Sequence, residues 1–212
     1  MKKYTAEFIG TFAVVFCGTG AIVIDEVFPG AVSHAGIAIT FGLIVMVMIY
    51  ALGNISGAHM NPAITIGFAL NGNFKWRETI PYVVSQFAGG IAASFLLHYL
   101  FPSSATMGAT IPAGPPMQSF ILEVVLTFFL MFVILQVATG SKEQGMFAGL
   151  AIGMVVLLEA MFAGPVSGAS MNPARSLAPA LVSNSWQHLW IYLSAPILGG
   201  AFAVILHRYL KN

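Results

Sequence analysis

One eight-residue phrase occurs twice in this chain of 212 residues with a single change, His59 against Ser170, as Ser56-Gly57-Ala58-His59-Met60-Asn61-Pro62-Ala63 and as Ser167-Gly168-Ala169-Ser170-Met171-Asn172-Pro173-Ala174. Its surroundings repeat in the same order. Ala6-Glu7-Phe8 with Thr11-Phe12 precedes the first copy as Leu122-Glu123-Val124 with Thr127-Phe128 precedes the second, and Gly89-Gly90 follows the first as Gly199-Gly200 follows the second. A phrase that returns with its context marks a duplicated unit.

Between these signals lie six apolar runs, at 4–24, 33–52, 82–101, 119–138, 146–163 and 189–210. Each is close to the length of about 20 residues that crosses a bilayer as a helix. Of the chain, 58% is hydrophobic and 7% charged, against roughly 25% charged in a soluble domain, so a soluble fold could not cover its surface. The expectation is an all-α membrane protein of six transmembrane helices, one domain over 1–212 with repeats at about 1–101 and 118–212. Three spans per half is an odd number, so the second copy enters the membrane from the opposite side. The repeat is therefore inverted, about an axis in the membrane plane.

Basic residues set the orientation, because Lys and Arg accumulate on the cytoplasmic side. Lys2, Lys3, Lys75, Arg77, Lys142, Arg208 and Lys211 fall on one side of the six-span arrangement, and the connections 27–32 and 102–118 on the other side hold neither Lys nor Arg. A multi-pass protein of the cell membrane with both termini cytoplasmic is expected. Lys2 and Lys3 before an apolar run could open a secretory signal, but Glu7 inside that run and the lack of a cleavage site favour a retained first span. Short loops leave no room for a soluble catalytic module, and neither His-Glu-x-x-His nor Gly-x-Ser-x-Gly is present, so an intramembrane hydrolase, or any enzyme, is not expected. A net charge of +1 gives no footprint for nucleic acid. The single cysteine, Cys17, reads as a small buried hydrophobe. The eleven methionines and the Gly-Ala clusters read as helix packing, and no cofactor or metal site is expected.

Each Asn-Pro-Ala follows a Gly-containing turn and leads into an apolar stretch, 64–70 or 177–182, too short to span. Asparagine is a favoured N-cap, and proline fits the first helical position, where its missing N–H would have no partner. Both segments therefore predict re-entrant half-helices. With the halves inverted, the two starts meet near the midplane and aim two positive helix ends at one spot, which repels cations including hydronium. Irregular backbone survives at that depth only when buried in protein or lining a water-filled cavity. Gly57, Ala58, His59, Met60 and Gly168, Ala169, Ser170, Met171 thus become a ladder of carbonyl acceptors.

The doubled Asn-Pro-Ala, the paired glutamates and Asn172-Pro173-Ala174-Arg175-Ser176 resemble the major intrinsic proteins, the aquaporins and glycerol facilitators, over essentially the whole chain. The resemblance implies a right-handed bundle of six tilted helices and two half-helices, commonly a homotetramer in membrane lipid with one pore per subunit. It implies a passive channel for water and small uncharged solutes that excludes protons and ions. It also implies a ring-like selectivity filter in which Arg175 is the polar wall. Matched by distance from the asparagines, the other walls are Phe41, Ala160 and Ala169, each of which by spacing alone could equally be core packing. Glu7 and Glu123 become buried acceptors that brace the re-entrant loops, with a proton relay as the rival reading.

Within the family, 162–171 is most similar to the nodulin-type subgroup, which includes carriers of glycerol and of metalloid hydroxides. Strict water channels usually carry histidine at the position of Ala160, so alanine predicts a wider, less polar opening. Ser176 and Ala180 instead follow the water-channel pattern, and the two signals conflict. Glu159 departs from the family pattern. It reads either as holding an outer loop or as orienting Arg175. His59 reads equally as a solute contact and as packing beside the pore. The alternative from another class is an ion-coupled secondary transporter, which is also built from inverted repeats with broken helices.

Overall fold

The computed structural model describes residues 1–211, the side chain of Gln144 excepted. It is helical throughout, with no strand among the described residues. In chain order the helices are α1 (Lys2–Val27), α2 (Ser33–Ser56), α3 (Pro62–Asn71), α4 (Trp76–Leu100), α5 (Pro116–Ala138), α6 (Lys142–Met146), α7 (Ala148–Ser167), α8 (Pro173–Ser183) and α9 (Leu189–Lys211). Six of them, α1, α2, α4, α5, α7 and α9, are long and apolar enough to cross a membrane.

The six expected runs are all present, and most extend beyond their apolar cores. α1 continues through Asp25 and Glu26, and α4 begins six residues before Tyr82 with Trp76-Arg77-Glu78. Hydropathy ends where charge begins, but the hydrogen-bonded helix does not. The short α6 had no apolar signal to announce it.

Assembly pairs α5 with α9, α2 with α7, and α1 with α4 most extensively. These crossings are close because small residues stand at them. A Cβ on Gly89 of α4 would lie 2.2 Å from the Phe8 carbonyl oxygen of α1, and one on Gly199 of α9 would lie 2.2 Å from the Val124 carbonyl oxygen of α5. Phe8 and Val124 each follow the repeated glutamate, so the same crossing is made twice. Where α2 meets α7, Gly42 and Gly153 face each other, each leaving room for the other's carbonyl.

The short helices interlock the two halves. α3 packs more on α9 than on α4, and α8 more on α4 than on α9, so each leans on the last long helix of the other half. With 10 residues in α3 and 11 in α8, at 1.5 Å per residue each is about 15 Å long. That is half of a hydrocarbon core of about 30 Å, and set end to end the pair completes one span.

Basic residues gather at one end of the bundle. Lys3 pairs with Glu78 at 2.7 Å, Arg208 donates to the Leu70 carbonyl, and Lys211 donates to Thr139 Oγ1 at 2.8 Å.

Candidate functional site

The two octapeptides build two matching cages. In the first, α2 ends at Gly57, whose φ of 86° lies in the left-handed region, and Ala58 (48°) and Met60 (52°) share it. Gly168 (84°), Ala169 (41°) and Met171 (52°) repeat the sequence after α7. Gly57 and Gly168 N still reach the Gly53 and Gly164 carbonyls, and Ala58 and Ala169 N the Ser56 and Ser167 hydroxyls; the next two N–H groups of each loop need other acceptors.

The buried glutamates are those acceptors. Glu7 Oε1 accepts from Ser56 Oγ (2.7 Å) and His59 N (2.9 Å), and Oε2 from Met60 N (2.7 Å). Glu123 Oε1 accepts from Ser167 Oγ (2.8 Å) and Ser170 N (2.9 Å), and Oε2 from Met171 N (2.8 Å). Every partner is a donor, so the four carboxyl oxygens act here as acceptors. Tyr82 and Tyr192 complete the match by donating to the Ser56 and Ser167 carbonyls at 2.9 and 2.6 Å.

The two carboxyl groups differ in their contacts. Gln86 Nε2 adds a fourth bond to Glu7 (2.8 Å) and a second to Thr65 Oγ1 (2.8 Å), whereas Pro196, which holds the matching place before Gly199, has no amide to give.

Asn61 and Asn172 join the loops to the half-helices. Asn61 Oδ1 accepts from Ala63 N (2.9 Å), capping α3, and Asn172 Oδ1 accepts from Ala174 N (3.0 Å) and Arg175 N (3.3 Å), capping α8. Each side-chain amide then crosses to the other loop: Asn61 Nδ2 donates to the Met171 carbonyl at 2.7 Å and Asn172 Nδ2 to the Met60 carbonyl at 2.9 Å. Pro62 and Pro173 hold the first helical positions behind them. The two helix starts are thus tied at one spot, where their positive ends add. One N–H of each amide remains for a passing oxygen. The last carbonyl of each expected acceptor ladder, at Met60 and Met171, is instead committed to the opposite asparagine.

A cavity of about 650 Å³ runs past this junction. Phe41, Ala160, Ala169 and Arg175, the four residues matched by spacing, all line it, as do Gly57, Ala58, His59, Met60, Ser170 and Met171. Gly168 does not. Its α-carbon faces Thr110, because the connection between α4 and α5 folds over the turn there. Pro62, Ala63, Pro173 and Ala174 are buried behind the wall.

Arg175 is 2% exposed, its Cζ lies 5.1 Å from the centre of the Phe41 ring, and its Nη1 donates to the Gly108 carbonyl at 2.7 Å. Among the described residues that carbonyl is the one protein acceptor for the guanidinium side chain, and Nε is buried without a hydrogen-bond partner. Lys142 lines the cavity as well, and no Asp or Glu does. The side chains and helix starts on the wall itself are thus positive, and the carboxyl groups of Glu7 and Glu123 lie behind the two loops, Glu123 within electrostatic reach of Arg175.

His59 stacks on Phe68 at 4.7 Å, with Phe74 at 4.9 Å and Tyr82 at 5.3 Å, and its Nδ1 lies 3.2 Å from Thr65 Oγ1. It is both packed and at the cavity wall. Among the described residues no hydrogen bond or ion pair joins Glu159 to Arg175 or to an outer loop. Glu159 is 3% exposed and its Oε2 has no hydrogen-bond partner.

Several positioning residues escaped the sequence reading. Tyr82 and Tyr192 each stand seven places before their repeated glycine, a signal the repeat itself could have supplied. Gln86 and Gly108 have no counterpart in the other half, and only the fold brings them into place.

Comparison with known proteins agrees with this architecture. The family model of the major intrinsic proteins matches residues 1–207. The chain is 49% identical over 212 residues to a protein of Oryza sativa subsp. japonica described as aquaporin NIP1-4, with 98% of this chain and 77% of that one covered. It is 46% identical over 213 residues to a putative aquaporin NIP4-1 of Arabidopsis thaliana, covering 98% and 75%. The solved aquaglyceroporin of Plasmodium falciparum shares the fold at a TM-score of 0.89 and 22% identity, over 99% of this chain and 96% of that one. The chain belongs to the major intrinsic protein family, and its similarity is to the nodulin-type members.

Proposed function

We propose that this multi-pass membrane protein, a passive channel for water and small neutral solutes as its family is, conducts through the cavity beside the paired asparagines. Its narrowest part is then the ring of Phe41, Ala160, Ala169 and Arg175, and compounds as large as glycerol or a metalloid hydroxide pass it. The observation that carries this reading is the cavity itself: Phe41 from α2, Ala160 from α7 and Ala169 and Arg175 around the start of α8 all line it, three of them apolar and one cationic. An alanine at 160 leaves space and no donor opposite the guanidinium.

Mechanism needs no bond making. A solute entering the passage loses part of its hydration, and the free amide N–H groups of Asn61 and Asn172, the unshared carbonyls of the two loops and the guanidinium of Arg175 replace it. A cation meets two helix N-termini, Arg175 and Lys142 with no carboxylate on the wall to offset them. Protons are excluded for the same reason, and because a water whose oxygen is held by the asparagine amides cannot pass on a proton in both directions. The chain acts as one domain of two inverted halves, with both termini on the cytoplasmic side with Lys3, Arg208 and Lys211, and with four copies to a tetramer.

Reconstituted liposomes test the reading. Stopped-flow light scattering with water, glycerol, urea and boric acid is expected to show flux above empty vesicles with a low activation energy, indifferent to imposed proton or sodium gradients. Accumulation of solute against its own gradient under an ion gradient would replace the channel by a coupled transporter.

A further inference from the structure

The guanidinium of Arg175 has one protein acceptor, and that acceptor is a backbone carbonyl on a connection rather than on a helix. The position of the arginine is therefore no better defined than that of Gly108. What fixes Gly108 lies outside the filter.

The last turn of α1 supplies it. Glu26 Oε2 accepts from Ser104 Oγ at 2.8 Å and Thr106 Oγ1 at 2.9 Å, and Oε1 accepts from Ala105 N at 2.8 Å. Both hydroxyls hold the next residues in turn: Ser104 Oγ accepts from Met107 N at 3.1 Å, and Thr106 Oγ1 accepts from Gly108 N at 3.2 Å. The chain of bonds is continuous from the carboxylate through Thr106 to the peptide of Gly108, whose carbonyl takes the Arg175 proton at 2.7 Å.

The same helix shapes the floor beneath. Met107 is buried against Val23 and Leu97, and a Cβ on Gly108 would come within 2.9 Å of Thr19 Cβ and 3.1 Å of the Thr19 carbonyl. Met107 and Gly108 sit at φ of 52° and 71°; glycine adopts this left-handed backbone freely, but at Met107 it persists only where its surroundings hold it. Glu26 closes that hold from above.

We infer that Glu26 is a positioning residue for the filter, setting the place of Arg175 through Thr106 and the Gly108 carbonyl. This rests on the reading of Arg175 as a wall of the constriction. Without the carboxylate, segment 104–108 loses three acceptor contacts, and the guanidinium, no longer drawn to a fixed carbonyl, moves within the lumen. A solute that fills the opening is hindered more than water, so discrimination changes rather than flux alone.

Glu26→Gln keeps the size and removes one acceptor and the charge, and Thr106→Val keeps the shape and removes the relaying hydroxyl. The readout is a permeability ratio in proteoliposomes, water against the largest of formamide, urea and glycerol that the wild type passes. Each variant is expected to lower the solute-to-water ratio on the order of threefold, the range that mutations coupled at a distance produce. The double variant is expected to lower it little further, since both changes break one chain. A purely structural role for Glu26 would reduce both fluxes together through fewer intact channels and leave the ratio unchanged, and that result overturns the inference. So does a ratio altered by Glu26→Gln but untouched by Thr106→Val. The wild-type panel tests the channel reading separately, before either variant is compared.

Discussion

Gly18 of α1 lies beneath the ring of Phe41. A Cβ there would stand 2.2 Å from Phe41 Cε1 and 2.5 Å from Cδ1, where unstrained carbon atoms keep about 3.5–4.0 Å. In Gly18→Ala the helix backbone is fixed by its neighbours, so the ring is the part that gives, by roughly 1.5 Å on that contact distance. Arg175 lies 5.1 Å from the ring and both residues line the cavity, so a displaced ring narrows the passage that they border. A solute that has to reopen such a gap meets an added barrier of about 1–3 kcal/mol, the cost of overfilling a packed site by a methylene. At 1.36 kcal/mol per factor of ten, glycerol flux falls about five- to 150-fold. Water, which needs less width, loses far less. The assay is stopped-flow glycerol and water permeability of proteoliposomes, normalised to the amount of folded channel. Unchanged glycerol flux in a normally folded Gly18→Ala protein would refute the claim that Phe41 bounds the passage.

Three further outcomes are expected. Ala160→His adds bulk and a donor opposite Arg175, and glycerol flux should drop while water flux persists, as the same vesicles report. Gly199→Ala puts a Cβ 2.2 Å from the Val124 carbonyl, and forcing α5 and α9 apart should cost more than about 2 kcal/mol, seen as a lower unfolding temperature or no folded protein; an unaltered melt would contradict the close crossing. Glu159→Leu removes a buried carboxyl oxygen that has no partner and lies in the field of Glu123. It should stabilise the protein by about 1–3 kcal/mol with water flux preserved, and a destabilised variant would show that Glu159 holds something.

The parts of this fold that could be read from the chain are those written twice. The octapeptides announced both half-helices because Asn and Pro carry capping chemistry that does not depend on tertiary context, and Glu7 and Glu123 stood out as charges inside apolar runs. Phe41, Ala160 and Ala169 were matched by distance from the motifs; they line the same cavity as Arg175 and also belong to the buried apolar core. Gly168 was expected there and faces Thr110 instead, since the turn has two sides and spacing cannot tell them apart. What the chain concealed are single-copy contacts: Gln86 on Glu7, Gly108 on Arg175, Glu26 on the outer connection. Each joins residues more than 65 positions apart, and nothing in local pattern signals which polar residue meets which loop. Glu159 was expected to find a partner because a buried acid is costly, and its Oε2 has none.

Central to the account is that the tied starts of α3 and α8, with Arg175, let neutral molecules pass and turn charge away. Proteoliposomes holding a pH-sensitive dye measure this directly, by comparing osmotic water flux with the decay of an imposed proton gradient under valinomycin and potassium. Fast water movement with a proton gradient that decays no faster than in empty vesicles is the predicted result; rapid loss of the gradient through the protein would contradict it.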